Sequence, residues 1–198
     1  MLNYKKIKDL ILHIVVACQN EKEGITLFKL AKILYFIDFG YFATNNQSIS
    51  GIDYLKFKYG PVPRGLRDYV KLLESENLLE RKTYITDDTE KEVLIAQNDN
   101  YLNSSIFSDN EIETITNTIK GTKKLNSQQL SSETHYHQTW ITTNTGEIID
   151  YSKAKYCVFE WLNYYQDMNK DDYLEIKNSR ELFKDKEITS LLSTIQSL

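Results

Sequence analysis

The segment 27–44, LFKLAKILYFIDFGYFAT, constrains the fold more than any other part of the 198-residue chain. Its hydrophobic side chains fall on nearly every side of a helix, and only Lys29, Lys32 and Asp38 interrupt them. A helix that is apolar nearly all round belongs at the centre of a domain, and Thr26 is a suitable N-cap for it. The sequence therefore predicts a central buried helix.

Asp38 is a carboxylate within this otherwise apolar helix, where an unpaired buried charge would be costly. We therefore expect Asp38 to have a partner, and the backbone of the GPVP turn at residues 60–63 is one candidate. A catalytic acid would need a functional partner such as a second carboxylate, and none is evident nearby. We interpret Asp38 as structural.

The segments before and after the central helix carry clear patterns. Hydrophobic residues at three- and four-residue steps predict a first helix over residues 3–19. The alternation in residues 51–59 is typical of a half-buried strand, and its apolar side comprises Leu55, Phe57 and Tyr59. Both prolines of the chain lie in residues 60–63, which specifies a rigid, non-helical backbone there.

A third helix and a hairpin are predicted next. Pro63 suits the first position of a helix that continues to about Asn77. Strands follow over residues 79–85 and 92–96, and we expect this hairpin to share one small antiparallel sheet with residues 51–59. The predicted fold class is α+β, mainly helical, with a central apolar helix and a partly winged-helix-like order.

The second half carries fewer signals. Ser108 and Glu111 form a capping box for a helix that Gly121 is expected to end, and a short helix is predicted over residues 127–132. We predict one domain over residues 1–150, with a soft internal boundary near residues 97–108. Residues 151–198 would form a helical extension, packed on the domain or used for a partner, whose apolar stripe comprises Ile188, Leu191, Leu192 and Ile195.

Charge limits the classes of partner. The chain has 24 Lys and Arg against 28 Asp and Glu, a net charge of −4, which argues against a broadly basic surface but not against a local patch. Arg64, Arg67 and Lys71 share one face of the predicted third helix, just before the hairpin. A winged-helix DNA-binding regulator that uses these three residues is therefore an alternative function.

Catalytic signals are weak. His135 and His137 would share a face if they lay on a strand, and Glu133 or Asp150 would then complete a metal site, so a metal-dependent enzyme is a lesser alternative. His13 is interpreted as structural, and the two cysteines as buried reduced thiols. The sequence contains no Gly-rich phosphate loop, nucleophile elbow or HExxH motif. We assign no cofactor, metal or catalytic residue.

The order of two motif blocks resembles the Panacea domain of SocA-like antitoxins and GepA-type phage-associated proteins. The first block joins a helix, a Gly-x-x-Tyr strand and a Gly-Pro-Val turn, and its matching residues are Lys29, Leu30, Lys32, Leu34, Tyr35, Asp38, Gly51, Tyr54, Gly60, Pro61 and Val62. The second, looser block includes His135, Trp140 and Gly146. The resemblance covers roughly residues 5–150 and implies that these positions form the scaffold.

The resemblance implies a non-enzymatic, cytoplasmic bacterial protein that neutralises a toxin encoded beside it by direct contact, in a toxin–antitoxin or phage-related system. One branch of the family instead delivers its toxin to a protease. The sequence has no apolar run of about 18–20 residues and no signal-peptide pattern at its start, so we also expect a cytoplasmic chain without a membrane partner. We expect specificity to lie in exposed aromatic and charged residues of the second half, and deletion of residues 152–198 to weaken toxin binding without unfolding the rest.

Overall fold

A computed structural model describes residues 3–19, 24–86, 89–97, 104–157 and 159. The fold is mainly helical α+β, and helix α2 (Leu27–Asn45) lies at its centre. Thr26 caps α2 by accepting a hydrogen bond from the Lys29 amide, and every residue from Leu30 to Tyr41 is buried. The prediction of a central buried helix is confirmed.

Two further helices pack against α2. Helix α1 (Tyr4–Cys18) begins at its N-cap Asn3, close to the predicted bounds, and buries one apolar face. Helix α4 (Asp109–Thr122) opens with the predicted capping box. It does not end at Gly121, as predicted, because the chain keeps a helical conformation through Thr122, whose hydroxyl donates to the Thr118 carbonyl 2.6 Å away.

The two prolines lie in a strand. Strand β1 (Tyr54–Phe57) pairs antiparallel with β2 (Gly60–Pro63), and the two are joined by a two-residue turn. Helix α3 (Leu66–Ser75) begins only after Gly65, its N-cap, whose φ of 76° is left-handed. The prediction that Pro63 opens this helix is wrong, because Pro63 pairs with Tyr54 in the hairpin.

A second hairpin, β3 (Leu79–Thr86) and β4 (Thr89–Ala96), follows α3 in the predicted order. The prediction of one shared sheet is wrong, since the two hairpins form separate two-stranded sheets among the described residues. The edge of β1 is already occupied: its backbone exchanges hydrogen bonds with residues 146–149. β4 instead bridges to Ile25 through Leu94.

The chain after α4 returns to the core. Helix α5 (Ser127–His135) and the short α6 (Gln138–Ile141) precede a 3₁₀ helix, Tyr151–Tyr156, which packs on α2. The Tyr151 ring stacks on Phe39 with 4.1 Å between centroids. The three buried side chains that follow are those of Ala154, Cys157 and Phe159.

Deletion of residues 152–198 would therefore remove Ala154, Cys157 and Phe159 from the core, so the deletion tests folding as well as toxin binding. A truncation that keeps these contacts starts after residue 159. Beyond Phe159 the predicted helical extension lies outside the described residues, as does its stripe of Ile188, Leu191, Leu192 and Ile195. Across the described ranges, no helix combines the length and the hydropathy of a membrane span.

Two adjacent leucines of α3 test the packing of the core. Leu73 is fully buried, whereas Leu72 is 42% exposed. We expect Leu73→Ala to lower the free energy of unfolding by about 2–5 kcal/mol, since it removes buried methyl groups and leaves a cavity. Leu72→Ala is the matched control and should cost less than about 1 kcal/mol. Urea unfolding measures both, and equal losses would contradict the orientation of α3.

Candidate protein-binding groove

Three aromatic side chains with large exposed areas gather on one face of the molecule. Phe28 is 60% exposed, Phe57 44% and Tyr59 62%. Phe28 lies in the first turn of α2, and the other two lie at the end of β1 and in the turn after it. An exposed apolar cluster of this kind is typical of an interaction surface, because isolated surface hydrophobics are the more usual arrangement.

A cavity of about 600 Å³ lies between α2, the β1–β2 hairpin and the start of α3. Its apolar lining includes Leu27, Ala31, Leu55, Val62, Pro63 and Leu66. A second depression of about 470 Å³ lies between α2 and α5, and both are lined by Phe28, Lys32 and Tyr59. We call the two joined depressions the α2–β2 groove.

The groove explains why the predicted buried face of β1 is wrong. Leu55, Phe57 and Tyr59 were expected to face the core, but they line the groove, and Phe57 and Tyr59 are exposed. The buried residue is Tyr54, which the alternation assigned to the other side. The Tyr54 hydroxyl donates a hydrogen bond to Asp38 inside the core, so the whole side chain is buried without an unpaired polar group.

Asp38 is fully buried and accepts three hydrogen bonds. The Ser50 amide donates to Oδ1 over 2.8 Å, the Tyr54 hydroxyl donates to Oδ2 over 2.7 Å, and the Ser50 hydroxyl also donates to Oδ2. Burial raises the pKa of the Asp38 carboxyl, and the hydrogen bonds from Ser50 and Tyr54 oppose that rise. Asp38 has the partners that its position demanded, but they are not the GPVP backbone.

The side chain that bonds to the backbone of the GPVP segment is that of Lys32. Its side chain is only 2% exposed, and Nζ donates to the Pro61 carbonyl over 2.8 Å. Burial lowers the pKa of Lys32 to about 8. Gly60 makes this approach possible: it has a φ of 93°, and a Cβ there would lie 3.0 Å from Nζ and 2.5 Å from Oγ1 of Thr134.

The two histidines of the second block lie in different surroundings. His135 ends α5 and stacks on Trp140 with 4.0 Å between ring centroids. His137 caps α6, is buried, and pairs through Nδ1 with the Tyr35 hydroxyl over 3.0 Å. The prediction that His135 and His137 share one face of a strand is wrong, because the backbone between them is a helix end and a turn.

Of the two carboxylates expected to complete the metal site, Glu133 lies in α5 and Asp150 caps the 3₁₀ helix through Ser152. Within the described ranges, no three His, Cys, Asp or Glu side chains are grouped as a metal site would need. His13 contacts the Asp9 carbonyl and the Phe107 ring, in keeping with a structural role. Cys157 is buried, whereas Cys18 is partly exposed, and neither forms a disulfide.

The remaining motif residues hold the scaffold in place. Lys29 donates to the Lys123 carbonyl at the end of α4, and Leu30 and Leu34 are fully buried. Gly51 and Gly146 have φ values of 73° and 87°, a region that favours glycine. Lys56 Nζ lies 4.0 Å above the Trp140 ring, and this contact joins β1 to the second block.

Arg64, Arg67 and Lys71 are exposed and line the wall of the groove at the start of α3. Together with Lys32 they set four basic side chains against one acidic side chain, Asp68, in the cavity lining. The groove is therefore basic on a chain whose net charge is −4. The assignment of these three residues to DNA contact stays a prediction.

The family model for the antitoxin SocA-like Panacea domain matches residues 30–141, more than half of the 198 residues. The chain therefore belongs to this family of antitoxin-like domains. The matched region contains α2 almost entirely, both hairpins, α3, α4, α5 and α6. No curated protein and no solved structure matches the chain significantly.

The raised pKa of Asp38 sets the sign of one pH dependence. A carboxyl with a higher pKa in the folded state than its usual 3.8 binds protons more tightly when folded. Its contribution favours folding most below the unfolded pKa and is lost as the pH rises through the folded pKa. Lowering the pH from 7.5 to 4.5 should therefore raise the free energy of unfolding of the wild type relative to that of Asp38→Asn.

Urea unfolding at the two pH values measures this shift, and Asp53→Asn, which removes an exposed carboxylate, is the matched control. The loss of one negative charge is common to both variants, so the shift of Asp38→Asn is measured relative to that of Asp53→Asn. A difference that stays constant with pH would show that folding does not change the proton affinity of Asp38.

Proposed function

We propose that this chain is a cytoplasmic antitoxin-like protein that neutralises a cognate bacterial toxin, encoded beside it, by direct protein contact in the α2–β2 groove. Membership of the SocA-like Panacea family supports the antitoxin class. The observation that carries the binding site is the exposed aromatic cluster of Phe28, Phe57 and Tyr59 around an apolar cavity. Neutralisation by contact requires no catalytic step from this chain.

The groove has the composition of a binding hot spot. Buried aromatic anchors and arginines dominate the binding energy of many protein interfaces, and here Phe28 and Tyr59 lie close to Arg64 and Arg67 in one lining. The apolar floor suits an amphipathic protein segment that lays its apolar face into a groove. A phosphate backbone would gain little from such a floor.

Charge complementarity indicates the chemistry of the partner. Four basic side chains and one acidic side chain line the cavity, so an acidic segment would be attracted and a basic one repelled. The described part of the second half exposes two large hydrophobic side chains, Ile148 and Tyr156, and neither lines the groove. We therefore place the main contact in the first half, and residues 161–198 remain a proposed additional contact.

Growth of a bacterial host that expresses the neighbouring toxin tests this proposal. Co-expression of the wild-type chain should restore growth, and the two proteins should co-purify. The double variant Phe28→Ser, Tyr59→Ser should lose at least about tenfold in affinity, since each change removes an exposed aromatic anchor at little cost to the core. Isothermal titration of the purified pair measures the loss.

Ile85→Ser is the matched control, because Ile85 is 80% exposed on β3 and does not line the groove. It should bind like the wild type. Unchanged binding by the double variant would contradict the groove assignment, and toxicity that persists without any contact would contradict the antitoxin role. The amount of toxin in the rescued cells separates blocking, which leaves it constant, from delivery to a protease, which lowers it.

A further inference from the structure

Lys32 is a buried cation in the wall of the groove, and no ion pair joins it to any of the described carboxylates. It lines both depressions, and the hydrogen bond that the structure gives its ammonium goes to the neutral Pro61 carbonyl. Burial is the cause of its lowered pKa, with no carboxylate acting in the opposite direction. Buried lysines are almost always paired, and one carbonyl uses only one of the three N–H groups of an ammonium.

The charge persists at neutral pH. With a pKa of about 8, Lys32 is still about nine-tenths protonated at pH 7. The desolvated ammonium therefore remains a cation in the folded protein. A carboxylate brought next to it would meet a donor that has already lost most of its water, which strengthens a charge-assisted hydrogen bond.

The second depression holds further polar groups beside Lys32. His135 lines the second depression with Lys32, and its Nε2 is buried without a hydrogen-bond partner among the described residues, as is Nε1 of the stacked Trp140. Burial, then the charges of Lys32 and Lys56, lower the pKa of His135, and a hydrogen bond to the Lys58 backbone opposes that fall. Since Nε2 has no partner among the described residues, Nδ1 makes this bond, so Nε2 of the neutral ring is an acceptor and Lys32 is the donor of the depression. The described residues that line this depression include no Asp or Glu.

We infer that Lys32 forms a carboxylate-binding subsite in the wall of the α2–β2 groove, which receives an acidic side chain carried by the apolar partner segment. This inference rests on the proposed function, because it names the chemistry that the bound segment must present. Apolar side chains would fill the groove next to the exposed aromatics, and one Asp or Glu would pair with Lys32. One carboxylate matches the buried ammonium of Lys32 in charge.

A small-molecule pair tests the subsite on the full chain without the toxin. The probe is 4-phenylbutanoate, which joins an aromatic ring to a carboxylate, and 4-phenylbutan-1-ol is the matched neutral compound. NMR of lysine labelled with ¹³C at Cε follows Lys32, and the Lys32→Arg variant assigns its signal. The acid should shift this signal saturably and raise the pKa of Lys32 by about 1 unit, since an opposite charge nearby favours the ammonium. The alcohol should leave that pKa unchanged.

The exposed basic side chains at the start of α3, which we call the rim, are the competing site for the carboxylate. The rim variant Arg64→Gln, Arg67→Gln, Lys71→Gln is therefore titrated in parallel. If Lys32 holds the carboxylate, this variant keeps the rise in the pKa of Lys32. A constant pKa in the wild type, or a response to the acid that disappears in the rim variant, would overturn the inference. If Lys32→Arg fails to fold, the Lys56→Arg variant assigns the signal of Lys56, whose pKa burial also lowers, and leaves Lys32 as the other lysine with a depressed pKa to be followed in the wild type.

The two proposals fail separately. Loss of the toxin interaction in the growth and co-purification test contradicts the proposed function and leaves the carboxylate subsite to be judged by the titration of Lys32. A constant pKa of Lys32 contradicts the subsite alone, because the toxin test depends on Phe28 and Tyr59 and not on Lys32.

Discussion

The burial of two opposite charges on one helix governs the rest of the structure. Lys32 and Asp38 lie six positions apart on α2, which places them about 120° apart around the helix axis, so they cannot neutralise each other. Each needs a partner from elsewhere in the chain. Asp38 is satisfied by Ser50 and Tyr54, and Lys32 by the carbonyl of Pro61. Together the two charges fix the segment 50–61 along α2, and with it the hairpin that forms one side of the groove.

The elements that the sequence predicted well are those whose information is local. The cap at Thr26 and the capping box of Ser108 and Glu111 lie within four residues of the groups that they satisfy, and both helix starts were correct. Errors arose where the decisive contact is distant. The alternation in β1 predicted the wrong buried face, because it carries no information on the hydrogen bond from Tyr54 to Asp38. The prediction of a single sheet required a free edge of β1, and residues 146–149 occupy that edge.

The groove was not predictable for the same reason. Phe28, Tyr59 and His135 come from three elements that meet only in the folded chain, and α2 is so apolar that no periodicity distinguishes the exposed Phe28 from its buried neighbours. The signal that was available is the lysine at position 32. A cation in the most apolar helix of the chain demands a partner as much as Asp38 does, although the pattern of residues does not say which backbone carbonyl supplies it.

The scaffold and the proposed binding site share residues, which limits how each can vary. Gly60 lets the hairpin approach Lys32 and Thr134, so a side chain there would push β2 away from α2 and reshape the groove. The bond from Lys32 to Pro61 holds the hairpin with one N–H and leaves the rest of the ammonium beside the groove. Arginine at position 32 would keep the charge but not the compact geometry, because its planar guanidinium spreads its donors over a wider fork. A compact cation at this position therefore holds the hairpin and also suits the proposed carboxylate subsite.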